Sequence, residues 1–376
     1  MTRSTWWVAA ALAVAACENG AASKADGGRS DPDAAEQADV GQPRPDAAVA
    51  PADAGVPAGP DAAQAGSDAA APCTPTIDAG TSRTGYPLDG WEWTRHGVLF
   101  EPPAGADGDL APSVVADGAT VHLFFTRKTG LQHRIHHAVS ADEGATWTVS
   151  AAPGSGLGTD DVIAYPAVLF EGGRFRLWYG SGTFDLAEST DGEAWTVVQS
   201  PVLRPGDTGA FDDWSLLYPG VAHDETGYHL FYTGYDGQVF AVGRADSSDG
   251  IAFTKVGTGP LLARGAANEV DNHAVAQSAV VRSGRQWLVW YGAYDTSKTN
   301  PGPYRVALAT STDGLAFEKR GLTLEIAEAG VEAWSTRDPA VLRTASGWLM
   351  VYAGMGDDGR YRLMRATSAT CAPADP

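Results

Sequence analysis

Pro219-Gly-Val-Ala-His-Asp-Glu-Thr-Gly-Tyr-His-Leu-Phe-Tyr232 is one of five copies of a single pattern. In each copy an aromatic residue follows a Pro, once a Ser, by 13 positions: Pro112/Phe125, Pro166/Tyr179, Pro219/Tyr232, Ser278/Tyr291 and Pro339/Tyr352. A Gly turn lies inside every pair, at Gly118, Gly172–Gly173, Gly227, Gly284 and Gly347. The constant spacing predicts five hairpins of one length and one register. A unit that recurs about every 50–60 residues and cannot bury its own apolar face reads as a propeller blade or a solenoid repeat.

The second half of each hairpin is rich in aromatic and β-branched residues, as in Phe175-Arg-Leu-Trp-Tyr-Gly180 and Trp287-Leu-Val-Trp-Tyr-Gly292, which favours strand over helix. A third strand ends in Ala-x-Ser or a variant, and a turn with an aromatic follows: Asp191-Gly-x-x-Trp195, Asp249-Gly-x-x-Phe253, Asp313-Gly-x-x-Phe317 and Glu143-Gly-x-x-Trp147. Gly accepts the positive φ of such a turn and Asp bonds the local backbone. A fourth strand runs on from the aromatic. The fifth repeat stops at Ser368 without this segment, while one copy, Asp89-Gly-Trp-Glu-Trp93, stands alone before the first. The predicted fold is therefore all-β: a five-bladed β-propeller over residues 86–372, four antiparallel strands per blade, the N-terminal strand completing the last blade.

The rest of the chain reads differently. Residues 1–16 combine Arg3 with an apolar run, too short to span a membrane, and have the character of a signal peptide. Val14-Ala-Ala-Cys17 resembles the bacterial lipobox, which implies lipidation of Cys17 and a location in the cell envelope, on the periplasmic or cell-surface side. Residues 17–85 consist largely of Ala, Asp, Gly and Pro without periodicity, the composition of a disordered tether. Cys73 and Cys371 flank the propeller, and ring closure would bring them within reach of a disulfide. In the chain-entropy model so long a loop is worth about 4 kcal/mol. A formal charge of −20 argues against nucleic acid and against anionic lipid headgroups, leaving the lipid as the contact with the membrane. No cofactor motif or zinc-type spacing is present, and a monomer is expected.

In a propeller the innermost strands begin at one mouth of the central channel, so the segments just upstream of the five Pro/Ser positions carry the candidate site. Asp212, Asp271 and Glu332 all lie seven residues before the Pro or Ser, and a group repeated in several blades reads as a structural device. Trp214 and Trp334 share another offset, where an aromatic could pack or stack on a sugar ring. The residue directly before the Pro or Ser varies from copy to copy, with Tyr in two of the five: Ala111, Tyr165, Tyr218, Gln277, Asp338. Differing residues at one inward position are better functional candidates. Asp338, preceded by Arg337, leads, followed by Asp109 and Asp161, acids away from the repeated offset. The closely spaced His133, His136 and His137 read as solvated or packed strand residues rather than metal ligands.

On these residues the chain resembles the five-bladed propeller glycoside hydrolases, the arabinanases, β-xylosidases, invertases and levansucrases. The resemblance rests on the blade count, the Asp-Pro-x-Val inner strand, the Trp-Tyr-x-Gly middle strand and the Ala-x-Ser-x-Asp-Gly-x-x-Trp tail. It implies three carboxylates around the channel, because glycosidic cleavage needs one protonated carboxyl and one ionised. Asp109, Asp161 and Asp338 are the residues it selects, with Tyr165, Trp214, Tyr218, His273, Gln277 and Arg337 contacting a glycan. Some relatives hold a cation near the axis through a His, a place His273 would take. The first inner strand departs from the family in carrying Ala111 where Asp is usual. Arg337-Asp338-Pro339 is similar to the invertase motif but falls in the last blade, and Glu269 stands where a fourth-blade general acid would be. Ser140-Ala-Asp-Glu-Gly-Ala-Thr-Trp147 resembles the sialidase Asp-box, a turn device on the outside of a blade. The reading is a lipid-anchored, glycoside hydrolase-like protein that acts on or binds a glycan; the alternative is a non-catalytic module that binds glycan or protein.

Overall fold

The computed structural model describes residues 91–295 and 304–369. The signal peptide, Cys17, the tether and the Cys73–Cys371 pair lie outside them. Every element among the described residues is a β-strand. A first strand, β1 (Thr94–Val98), precedes five repeats. The first repeat holds β2 (Gly108–Asp117), β3 (Thr120–Thr129), β4 (Gln132–Ser140) and β5 (Thr148–Val149). The second holds β6 (Ala167–Glu171), β7 (Arg174–Tyr179), β8 (Phe184–Ser189) and β9 (Thr196–Leu203). The third has β10 (Ser215–Asp224), β11 (Gly227–Tyr235), β12 (Phe240–Ser247) and β13 (Thr254–Lys255). The fourth has β14 (Ala274–Ser283), β15 (Gln286–Tyr294), β16 (Tyr304–Ser311) and β17 (Glu318–Leu324). The fifth ends the series with β18 (Ser335–Thr344), β19 (Gly347–Met355) and β20 (Tyr361–Ser368).

Repeats two, three and four each form a four-stranded antiparallel meander. The fifth and first repeats share one larger sheet through a single parallel pair, Gly108↔Tyr361. β1 pairs antiparallel with β20, so the strand that stands alone in the sequence completes the last repeat. Each hairpin turns through two residues, with Asp117↔Thr120 and Ser283↔Gln286 as the closing pairs. Gly118 and Gly284 open these loops at φ +59 and +56, the conformation a tight hairpin requires.

Packing between repeats follows from the turn motif. Ser247 Oγ donates to the Asp249 carboxylate and accepts the amide of Gly250, and Asp249 in turn accepts the amides of Ile251 and Ala252. The same bonds recur at Ser189 and Ser311, and Ser140 makes a version one residue longer, with Gly144 donating to Ser140 and Thr146 to Asp142. The turn so fixed presents its aromatic to the middle strand of the preceding repeat: Trp195 to Phe124, Phe253 to Trp178, Phe317 to Phe231. The preceding repeat replies with donors: Trp178 Nε1, on its middle strand β7, bonds the carbonyl of Gly250 at 2.9 Å, and Arg244, on the third strand β12, bonds that of Gly314 at 2.8 Å. Trp93, on the segment before β1, meets Trp290 in the same way. The first strands of the repeats also touch in order, β2 with β6, β6 with β10, β10 with β14, β14 with β18, and β18 with β2.

The acid seven residues before the Pro or Ser has the structural role expected of it. Tyr232, Tyr291 and Tyr352, the aromatics of the 13-residue spacing, donate their hydroxyls to Asp212, Asp271 and Glu332 at 2.8, 2.9 and 2.6 Å. A cation from the outermost strand completes each triad: Lys255, Lys319 and, from β1, Arg95. Arg95 thus does for the last repeat what an internal lysine does for the two before it. The three acids are buried, and a buried carboxylate is tolerated when it is paired and hydrogen-bonded.

Candidate functional site

The five residues before the Pro or Ser share one backbone state. Ala111, Tyr165, Tyr218, Gln277 and Asp338 have φ of 49, 57, 48, 59 and 52. The left-handed region costs a non-glycine residue about 1–3 kcal/mol. A following proline makes helical conformations harder still. In four repeats the strain coincides with a one-residue bulge, between Leu110 and Ser113, Leu217 and Gly220, Ala276 and Ala279, and Arg337 and Ala340. The bulge re-aims the side chain while the strand continues. Bonds between repeats hold these residues: Tyr165 N–H donates to Thr126 Oγ1, Gln277 N–H to Thr233 Oγ1, and Ala111 N–H to Asp338 Oδ2 at 3.1 Å. Asp338 therefore ties the last repeat to the first.

These five residues and the Pro or Ser after each line one cavity of about 30 Å³. That is room for about two waters and not for a sugar ring. The sequence places a ligand at the mouth of a central channel; the hollow that these residues line is narrowed by four prolines and five strained backbones to water size, so the groups beside that mouth are the candidate ligand contacts.

Arg337 dominates that mouth. Its Nε donates to Asp338 Oδ1 at 3.1 Å, and Nη2 donates to the Tyr218 hydroxyl at 2.8 Å. The guanidinium lies over the rings of Tyr304, Tyr361 and Tyr218 at 4.8, 5.5 and 5.8 Å. Tyr165 packs on Tyr218 with ring centroids 4.2 Å apart. Burial works to lower the pKa of Arg337, but the Asp338 carboxylate and the surrounding tyrosines hold it well above its ordinary value. Burial pushes Tyr304 up to about 12 and Tyr218 higher. Arg337 thus offers a permanent guanidinium, Tyr218 and Tyr304 protonated phenols, and Asp338 a carboxyl group. Tyr304 and Tyr361 were missed in the sequence, although a signal was there: each opens a third strand seven residues before its closing Ser, as Phe240 does before Ser247.

The remaining candidates separate. Asp109 does not line the cavity; it is fully buried, and both its oxygens accept from Arg127 at 2.7 Å, an ion pair inside the first repeat. Burial pushes its carboxyl up against the lowering effect of Arg127. Asp161 is exposed and occupies the place taken by Trp214, His273 and Trp334, five residues before the Pro or Ser. At that place the amides of Trp214, His273 and Trp334 bond the middle-strand carbonyls of Tyr235, Tyr294 and Met355. Trp214 stands 58% exposed. Gln277 lines the cavity, with its Oε1 unpartnered among the described groups. Glu269 turns back onto the amide of Ala266, away from a catalytic role. His133, His136 and His137 are buried packing residues. Among the described residues no three metal-ligating side chains converge.

No protein-family profile matches the chain. Two uncharacterized proteins from two strains of Mycobacterium tuberculosis are each 29% identical to it over 203 residues, 52% of this chain and 65% of their own length. The chain therefore spans less than two thirds of these relatives. A β-1,2-mannobiose phosphorylase of Thermoanaerobacter is 26% identical over 114 residues, 28% of this chain and 37% of that protein. Among solved structures, the catalytic domain of the family 62 α-L-arabinofuranosidase of Coprinopsis cinerea is 16% identical at a TM-score of 0.59, covering 75% of this chain and 99% of that one. A family 117 glycoside hydrolase of Zobellia galactanivorans is 14% identical at 0.57, covering 76% and 92%. A thermostable family 43 glycoside hydrolase is 16% identical at 0.54, covering 71% and 91%. The chain has the fold of the propeller-type glycoside hydrolases.

Proposed function

We propose that this chain is a closed five-bladed propeller that binds a neutral glycan at the mouth built by Arg337, Asp338, Tyr165, Tyr218, Tyr304 and Tyr361. The cyclic contacts of the five first strands and the tie from Asp338 to Ala111 support closure. One observation carries the functional reading: of the ten residues lining the axial cavity, Asp338 is the one acid. Two-carboxylate hydrolysis needs a pair about 5–9.5 Å apart, whereas sugar hydroxyls need donors, acceptors and aromatic faces, which this mouth supplies. Arg337 would donate to ring hydroxyls and Asp338 accept from them. Trp214, about 13 Å from Tyr218 along β10 at ~3.3 Å per residue, would stack on a more distant unit. The lipobox resemblance at residues 14–17 supports an envelope location, with the glycan met outside the cytoplasm.

Screening the purified propeller on a glycan array, followed by calorimetry, tests binding, and chromatography of the same glycans tests turnover. Retention of a glycan without cleavage is the expected result. Hydrolysis that stops in Asp338→Asn would overturn it. A second reading, phosphorolysis, is favoured by the single carboxylate and by the match to a phosphorylase. There Asp338 would protonate the leaving oxygen while an oxygen of inorganic phosphate attacks the anomeric carbon, giving a sugar 1-phosphate. Cleavage that requires added phosphate would select it.

A further inference from the structure

We infer that the third repeat carries a second sugar-binding pocket, separate from the axis. A hollow of about 330 Å³ lies between the loop before β10 and the turn after β13, with Phe211, Asp212, Tyr232, Lys255, Asp207 and Thr258 among its walls. Sites for small molecules run about 300–1,000 Å³, so this one takes a sugar unit where the axial cavity takes water.

The reason it is open can be read by comparing two repeats of the same chain. In the third repeat the Gly206 amide bonds the carbonyl of Asp212, and the Ala210 amide bonds that of Asp207. In the fourth the Gly265 amide bonds the carbonyl of Asp271, and the Glu269 amide bonds that of Ala266. The loops correspond residue by residue, with Ala210 standing where the fourth repeat has Glu269. There the Glu269 carboxylate folds back onto the Ala266 amide at 2.8 Å and lies so close to Gly265 that a Cβ added at Gly265 would meet it at 1.9 Å. Ala210 has no such group to fill the space. The cation of the triad is correspondingly more open, with the Lys255 side chain 24% exposed against 15% for Lys319.

Chemistry selects the occupant. Asp207, Asp212 and Lys255 sum to one negative charge on the wall of a chain whose formal charge is −20, so an anion is disfavoured. Lys255, 24% exposed, supplies a donor, and the exposed Asp207 and Thr258 supply acceptors for sugar hydroxyls, while Asp212 lies buried behind as the partner that holds Lys255 in place. Phe211, half-buried and stacked on the buried Tyr232, supplies an apolar face for the C–H side of a ring. The ligand class is a neutral monosaccharide unit, held with a Kd in about the millimolar range.

The test is titration of the propeller with D-glucose, D-mannose, D-galactose, D-xylose and L-arabinose, with glucuronate as the anionic comparator, followed by amide NMR shifts of Gly206, Gly257 and Thr258. Two variants fill the pocket as the fourth repeat does, Ala210→Glu and its uncharged counterpart Ala210→Gln, with melting temperature as the check on folding. The expected result is a saturable shift with at least one neutral sugar, weakened at least about tenfold in both variants at unchanged melting temperature, and none with glucuronate. Should Ala210→Glu unfold, Ala210→Gln decides. No shift with any neutral sugar, shifts that survive in the folded variants, or equal binding of glucuronate would each overturn the inference. Amides at Tyr218 and Arg337 report the axial mouth separately, so failure of one site is not read as failure of the other.

Discussion

Replacing Asp338 by Asn probes the point where closure and recognition share one side chain. Its two oxygens have separate tasks: Oδ2 accepts the Ala111 amide at 3.1 Å, and Oδ1 accepts Arg337 Nε at 3.1 Å. An asparagine keeps one oxygen and sets its NH₂ against the other donor. One charge-assisted bond is lost, about 1.5–3 kcal/mol. The Arg337 side chain, 13% exposed, is left without its counter-charge. A total near 3 kcal/mol would lower the melting temperature by about 6–12 °C for a domain of this size. Urea unfolding of Asp338→Asn, Arg337→Gln and the double variant gives the coupling directly, expected at about 1–3 kcal/mol. Glycan affinity at the mouth should fall with it, since the variant removes the acceptor and frees the guanidinium to reorient. Asp338→Asn within about 0.5 kcal/mol of the parent, or coupling of that size, would refute the claim that this carboxylate joins the last repeat to the first.

Tyr291→Phe, which removes the 2.9 Å bond to buried Asp271, should cost about 1.5–3 kcal/mol in urea unfolding. Phe125→Tyr should give no matching gain, because the position that would supply its acid is Gly105. Burial depresses His122, His133 and His136 to about 4, so the stability gained from keeping them neutral is complete above about 6.5 and is lost as pH falls toward 4. Acid unfolding should therefore take up protons in that window, and Gln at these three positions should flatten the slope. His229 runs the other way: burial alone would lower it, but bonds to Asp246 and Asp224 raise it, so its contribution is present below about 6.5 and is lost as pH rises through the folded value. A pH series of melting curves for His229→Gln should lose that alkaline decline.

The repeat period, the strands and the clasp of β1 on β20 were legible because they rest on spacing and alternation, which a sequence displays directly. So were the structural role of Asp212, Asp271 and Glu332 and the distinct position of Asp338. Asp109 and Asp161 illustrate the limit. Three residues before the Pro and five before it look alike in a sequence, yet the structure sends Asp109 inward to Arg127 and leaves Asp161 exposed. Tyr304 and Tyr361 reach the mouth from third strands, and the spacing that marks their position does not announce a contact made across repeats.

The width of the axis was not readable either, and it changes how such a fold is used. Five side chains at one strained position, four of them on bulges, suggest a ligand chamber, but a backbone turned to φ near +50 also moves toward the axis. The prolines that follow stiffen that approach. A repeat that gathers side chains at the centre therefore also fills the centre. Room for a ligand must come from loops that differ between repeats, as Ala210 differs from Glu269. On this argument the conserved geometry of the repeat sets the floor, and single departures from it make the places where a sugar can rest. Ala210→Glu is the substitution that separates these two roles, since it restores the repeat without touching the floor.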